Sequence, residues 1–115
     1  MKVVVTGGAG YLGSALTQIL LRNGNQVTVL DRLLHGGHGL IPLYMEDGFT
    51  FIRGDIRSKE AVDTALEGAD AVVNLAAIVG DPACASDPEL ANETNVDGAM
   101  QVFATVREKG ISRFI

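Results

Sequence analysis

A glycine-rich turn directly behind an apolar segment is the feature that most constrains this chain. Residues Lys2 to Thr6 are mostly valine and predict a buried parallel β-strand. Glycines follow at positions 7, 10 and 13, and an apolar periodic segment begins at once. In such a strand–turn–helix unit Gly7 permits the tight turn, Gly10 lets the backbone approach a pyrophosphate, and Gly13 lets the helix pack closely on the sheet. The pattern predicts a dinucleotide-binding turn, and a glycine-rich turn without a ligand is the alternative.

A second apolar segment carries the acidic residue that this reading requires. Gln26 to Leu30 predicts a strand, and Asp31 follows it, 18 residues after Gly13. This spacing is close to the roughly 20 residues expected for a carboxylate that accepts hydrogen bonds from the adenosine ribose. Because a carboxylate repels a 2′-phosphate, Asp31 favours NAD over NADP. Arg32 is the counter-argument, since it could accept that phosphate. A solvated aspartate at a strand end is the alternative.

Composition narrows the class of protein. The 115 residues suffice for one small domain, and the net charge of −5 without a basic run argues against nucleic acid or an anionic membrane as a partner. No Gly-Lys-Ser/Thr sequence follows the glycines, which argues against a P-loop NTPase.

No apolar run approaches the roughly 20 residues that span a bilayer. The chain begins within a predicted strand, so we expect no signal peptide. Cys84 is the only cysteine and indicates a reducing cytoplasm.

The order of predicted elements alternates between strands and helices. Further strands are predicted at 50–53, 71–77 and 112–115, and helices at 11–23, 58–66 and from 88 or 89 to 109. Residues 32–48 and 80–88 read as loops, the first mobile and with room for one short helix. Alternation of this kind predicts an α/β fold with a doubly wound parallel sheet, in which the crossovers are right-handed.

The chain resembles the N-terminal, NAD-binding half of an extended short-chain dehydrogenase/reductase of the sugar-nucleotide epimerase/dehydratase type. The motifs occur in the family's order and span the whole chain: Thr6-Gly-Gly-Ala-Gly-Tyr-Leu-Gly13, Leu30-Asp31, Gly54-Asp55-Ile56, Asn74-Leu-Ala-Ala77 and Thr94-Asn95-Val96-Asp97-Gly98. The resemblance implies a Rossmann-type sheet with strand order 3-2-1-4 and the start of strand five. It also implies NAD(P) binding by residues 1–115.

The resemblance assigns roles to individual residues. It implies that Tyr11 and Leu12 supply loop amides to the pyrophosphate, while the Tyr11 ring is expected to pack. It places Asp55 and Ile56 at the adenine, with the Asp55 carboxylate on the exocyclic amine, unless Asp55 only forms the following turn. The small residues of Leu75-Ala76-Ala77 make room for ribose and pyrophosphate, and simple tight packing is the alternative.

The same resemblance marks two positions in and after the fourth strand. Asn95 is expected to support the active site through backbone and water contacts, or else to be a surface residue of the helix. Asn74 stands where the family usually has histidine, and this departure is expected to alter local hydrogen bonding.

The family's proton-transfer residues have no counterpart here. The family uses a Tyr-x-x-x-Lys pair after strand five, but the tyrosines of this chain are Tyr11 and Tyr44, and neither has lysine four residues on. We therefore expect no catalytic residue within 1–115, no turnover by this chain alone, and a truncated domain that lacks the substrate domain. A non-catalytic dinucleotide-binding sensor or scaffold is the alternative function.

The resemblance also implies partners. A nucleotide-sugar is the expected substrate of the complete enzyme. A homo-oligomer is expected, either by strand pairing at the apolar near-edge strand 71–77 or through the long helix, whose apolar face is predicted to comprise Val96, Met100, Val102, Phe103 and Val106. His35 and His38 lack further metal ligands nearby and read as a solvated loop, and Cys84, without an activating base, is expected to have a packing role.

Overall fold

Five parallel strands form one sheet in the order β3-β2-β1-β4-β5 in the computed structural model, which describes residues 1–115. This confirms the predicted class and strand order. The strands are β1 Lys2–Thr6, β2 Gln26–Asp31, β3 Phe49–Arg53, β4 Ala71–Asn74 and β5 Arg113–Phe114. The helices are α1 Tyr11–Arg22, α2 Lys59–Ala65, α3 Asp81–Ser86, α4 Pro88–Asn92 and α5 Ala99–Glu108.

The valines of the central strand explain the two-sided core. Val4 faces a cluster with Val62 of α2 and Val102 of α5, whereas Val3 and Val5 face the opposite cluster. That second cluster includes side chains of α1 and of a 3-10 helix, His38–Met45, which lies in the predicted loop 32–48. Because successive strand residues point to opposite faces, an unbroken apolar strand requires helices on both sides of the sheet.

The fourth strand is shorter than predicted. It ends at Asn74 and not at Ala77, because the neighbouring strand β1 ends at Thr6, the register partner of Asn74. The Thr6 carbonyl accepts from the Leu75 amide at 3.0 Å, and the Thr6 hydroxyl accepts from the Ala76 amide at 3.3 Å. The chain thereby turns away from the sheet at residue 75.

Two further differences concern the segment after β4. The predicted loop 80–88 contains α3, a short helix with Pro82 in its first turn, where a proline costs no helical hydrogen bond. The predicted long helix is interrupted between α4 and α5 by a π-helical turn, Glu93–Gly98. Side chains on either side of this turn therefore face directions that an uninterrupted α-helix would not give them.

The apolar face of the long helix was predicted incorrectly in part. Val102 and Val106 lie in the core, whereas Val96, Met100 and Phe103 are exposed. The Phe103 ring contacts Phe114 of β5, with ring centroids 5.6 Å apart. None of the helices has the length and apolar character needed to cross a membrane.

Candidate functional site

A cleft of about 540 Å³ lies where the carboxyl ends of the parallel strands β1 to β4 meet. The chain leaves β1 toward one side of the sheet and β4 toward the other, which is where open α/β sheets bind ligands. The cleft lining includes twelve of the thirteen residues predicted from the sequence: Gly7, Gly10, Tyr11, Leu12, Gly13, Asp31, Arg32, Asp55, Ile56, Leu75, Ala76 and Ala77. The structure thus brings together segments that are far apart in sequence.

The three glycines of the turn differ in what surrounds them. Gly7 has a φ of +70°, and a Cβ there would lie 2.6 Å from the Ala76 amide nitrogen. A Cβ at Gly13 would lie 2.6 Å from the Gly8 Cα and would also overlap the Gly7 carbonyl. A Cβ at Gly10 would meet only the Gly7 carbonyl oxygen, at 3.3 Å. The first and third glycines are therefore required by the fold, while the second leaves open space on the cleft side.

The N-terminus of α1 opens onto this space. Gly10 is the residue that precedes the helix, no side chain caps it, and no acidic residue lies in the first turn. The free amides and the positive end of the helix dipole suit an anion. The Tyr11 side chain is 97% exposed, so the expectation that its ring packs within this chain was wrong.

Backbone amides hold the Asp31 carboxylate at the end of β2. Its Oδ2 accepts from the Ala9 amide at 3.0 Å, and its Oδ1 accepts from the Leu33 amide at 2.7 Å. Leu33 is the only non-glycine residue with positive φ, at 62°. The neighbouring Arg32 side chain is directed to Asp55, with 3.4 Å between its Nη1 and the Asp55 Oδ2. These contacts keep a carboxylate at the cleft wall and place the adjacent cation near Asp55, where the buried Arg32 Nη1 makes no hydrogen bond.

Asp55 is held by Arg57 and forms the turn after β3. The Arg57 Nη2 donates to the Asp55 Oδ2 at 2.9 Å, and the Arg57 amide donates to the Oδ1 at 2.9 Å. Burial alone would raise the pKa of the Asp55 carboxyl, but the hydrogen bonds and charge of Arg57 outweigh it and hold the pKa below its usual 3.8. Asp55 thus both forms a turn and lines the cleft as an anion.

The Leu75–Ala77 turn is fastened to β1 by one hydroxyl. The Thr6 Oγ1 accepts from the Ala76 amide and donates to the Asn74 Oδ1 at 2.6 Å. The expected effect of asparagine in place of histidine at position 74 stays a prediction. Here the Asn74 side-chain oxygen is the acceptor that orients the Thr6 hydroxyl.

Asn95 does not line the cleft but fixes one of its walls. From the π-helical turn, its Oδ1 accepts from the Ile78 amide at 2.7 Å and its Nδ2 donates to the Ile78 carbonyl at 2.8 Å. Ile78 lines the cleft directly after the Leu75–Ala77 turn. The backbone contact expected of Asn95 is therefore present in the structure.

Sequence analysis missed Thr94, which also lines the cleft. Its side chain is 5% exposed, and its Oγ1 is buried without a hydrogen-bond partner. Buried hydroxyls are rarely left unpaired, so this one suits a polar group of a ligand or a water in the cleft. The only available signal was its place beside Asn95, because the sequence does not reveal which residues of a π-helical turn face inward.

Three other residues named in the sequence analysis can be placed. His35 is exposed and lies along the cleft, while His38 lies at the start of the 3-10 helix. The Cys84 thiol is half-buried and donates to the Ile78 carbonyl at 3.4 Å, in agreement with a packing role.

Known proteins share this sequence pattern and fold. The family model described as the NAD dependent epimerase/dehydratase family matches residues 3–115. A UDP-glucose 4-epimerase from Klebsiella pneumoniae is 32% identical over 120 aligned positions, which cover 100% of this chain and 86% of that protein.

Two solved structures are also similar. The UDP-glucose 4-epimerase of Thermus thermophilus in complex with NAD has a TM-score of 0.87 and 34% identity, covering 99% of this chain and 36% of that one. DesIV, a dTDP-glucose 4,6-dehydratase from Streptomyces venezuelae with NAD bound, has a TM-score of 0.92 and 31% identity, covering 99% and 38%.

The chain spans only part of the length of most relatives. It covers between 25% and 38% of the length of several curated ones. The family match, in contrast, extends over almost the whole chain and includes every element that forms the cleft. The chain therefore belongs to the NAD-dependent epimerase/dehydratase family.

Proposed function

We propose that the cleft binds NAD and that residues 1–115 are the cofactor-binding part of an enzyme that acts on nucleotide-sugars. The observation that carries this proposal is the open space at Gly10 beside the uncapped N-terminus of α1. A pyrophosphate could approach the backbone closely there and meet free amides. The unpaired Thr94 hydroxyl on the same cleft adds a polar group that a ligand would satisfy.

The proposed division of the cleft follows from its chemistry. Asp31 accepts from the ribose hydroxyls of the adenosine half, and Asp55 and Ile56 meet the adenine. The amides of Tyr11, Leu12 and Gly13 bind the pyrophosphate, with Gly7 and Gly10 shaping the turn. Leu75, Ala76, Ala77 and Thr94 form the facing wall, and Asn95 supports that wall through Ile78. Arg32 stays on Asp55, which leaves Asp31 to favour NAD over NADP.

Bound NAD would supply a hydride acceptor that takes and returns hydride at a sugar carbon. This chain's own residues bind and orient the cofactor but provide no Tyr-x-x-x-Lys pair, since its tyrosines are Tyr11 and Tyr44 only. Proton transfer and sugar recognition therefore belong to residues beyond these 115. We expect no turnover of UDP- or dTDP-sugars by residues 1–115 alone.

Two further properties complete the proposal. The exposed Val96 of the π-helical turn and the exposed Met100 and Phe103 of α5 support homo-oligomer formation through this segment. The lone Cys84 supports a reducing, cytoplasmic location.

Calorimetric titration with NAD tests the proposal, with Gly10→Val and Gly10→Ala as graded variants. In both variants the only atom close to the new Cβ would be the Gly7 carbonyl oxygen, at 3.3 Å. Helix content should therefore persist. The wild-type chain should bind NAD at one site, the alanine variant more weakly, and the valine variant not measurably. Absence of NAD binding by the folded wild-type chain would show the proposal to be wrong.

A further inference from the structure

The Arg57 side chain joins Asp55, which lines the cleft, to Glu93, the residue before the cleft-lining Thr94. Its Nε lies 3.1 Å from the Asp55 Oδ2, and its Nη2 lies 2.9 Å from the same oxygen. Its Nη1 donates to the Glu93 carboxylate, at the start of the π-helical turn. A guanidinium anchored at both ends has little freedom to rotate, so the carboxylate it holds is fixed as well.

The hydrogen bonds to Asp55 determine what that carboxylate can recognise. The Arg57 side chain and amide, together with the nearby Arg32, surround Asp55 with positive charge and donors. An ionised carboxylate only accepts hydrogen bonds, whereas a protonated one could also donate. Because Arg57 holds both oxygens of the ionised Asp55 carboxylate in place, Asp55 can accept from an amino group but repels a carbonyl oxygen.

We propose that Arg57 is a specificity-determining positioning residue, which holds Asp55 as a fixed acceptor so that the cleft selects 6-aminopurines over 6-oxopurines. This inference rests on the proposed function, in which adenine lies at Asp55 and Ile56. Arg57 itself need not touch the cofactor. Its effect is transmitted through the orientation of the Asp55 carboxylate.

The test compares NAD with nicotinamide hypoxanthine dinucleotide, which carries a carbonyl where adenine has the amine. Calorimetry on the wild-type chain should show NAD bound about tenfold or more tightly than the hypoxanthine dinucleotide. In the latter the Asp55 acceptor would face a carbonyl oxygen and not an amino group. In Arg57→Met the preference should fall below about threefold, because the carboxylate loses its anchor. Arg57→Lys should restore part of the preference by keeping the charge.

Lys59→Met is the matched control. Lys59 is also a basic residue in two ion pairs, with Asp63 and Glu108, but it does not contact Asp55. This variant should keep the wild-type preference. Arg57→Leu, which also removes the side-chain donors and the charge, replaces Arg57→Met under the same criterion if the methionine variant does not fold.

The outcomes separate the two proposals. A wild-type chain that binds neither dinucleotide contradicts the proposed function. A wild-type chain that prefers NAD, with an equal preference in Arg57→Met or its leucine replacement, overturns the role of Arg57 and leaves NAD binding intact. Loss of the NAD preference in Lys59→Met would also overturn the role of Arg57, because removal of ion pairs that do not involve Asp55 would then have the same effect.

Discussion

The side-chain amide of Asn95 pairs with both backbone groups of Ile78, at 2.7 Å to the nitrogen and 2.8 Å to the oxygen. The segment after β4 is thereby joined to the π-helical turn. Ile78 has no strand partner at this point, because β4 already ends at Asn74. The amide replaces the sheet hydrogen bonds that the segment has lost.

Asn95→Ala should therefore lower the free energy of unfolding by about 1 kcal/mol, since two partly solvated hydrogen bonds are removed. Asn95→Asp should cost more, because a carboxylate would face the Ile78 carbonyl. Urea denaturation measures both effects. Asn92→Ala, at an exposed position one turn earlier, is the control and should change little; equal losses at residues 92 and 95 would argue against the pairing.

Thr94→Val should separate stability from binding. The change removes a buried hydroxyl that has no partner in the ligand-free chain, so the free energy of unfolding should stay the same or rise by up to about 1 kcal/mol. NAD affinity should fall about fivefold to tenfold, since the ligand loses a hydrogen-bond partner.

Thr105→Val is the contrasting variant for Thr94. The buried Thr105 hydroxyl donates to the Gln101 carbonyl at 3.0 Å, so its loss should reduce stability and leave NAD affinity unchanged. Thermal denaturation and calorimetry on both variants give the comparison. A Thr94→Val chain that is destabilised and binds NAD normally would place the hydroxyl outside the ligand site.

Much of this arrangement could be predicted because parallel strands end at one edge of a sheet. The glycine spacing of Gly7, Gly10 and Gly13 and the position of Asp31 are local, so sequence alone located them. The features that were missed depend on tertiary contacts. The end of β4 is set by the end of the neighbouring strand β1 at Thr6, and the inward direction of Thr94 is set by a π-helical turn that no local propensity predicts.

Asp31 should make the chain prefer NAD to NADP by about 1–3 kcal/mol, through charge repulsion and lost ribose hydrogen bonds. Calorimetry with both cofactors measures the difference. Arg32→Ala should leave the preference in place, because the Arg32 guanidinium lies near Asp55, 3.4 Å away. Equal or tighter binding of NADP by the wild-type chain would mean that Arg32 moves to accept the phosphate.

Asp55 should contribute to stability in a pH-dependent way. Its pKa in the folded chain lies below the usual 3.8, so its contribution is present above pH 4 or so and is lost as pH falls through the lowered value. Wild type should therefore exceed Asp55→Asn in free energy of unfolding at pH 7, and the gap should close in acid. Denaturation series across this range test the sign, and a gap that widens in acid would contradict it.

Backbone amide NMR during an NAD titration tests the central claim, that this cleft holds the cofactor at these residues. We expect the largest shift changes along Gly7–Gly13, at Asp31, at Asp55 and Ile56, along Leu75–Ala77 and at Thr94. Gly24, Gly68 and Gly110, which follow the carboxyl ends of α1, α2 and α5, should shift little. Saturable changes at those three glycines, with Gly10 to Gly13 unaffected, would contradict the account.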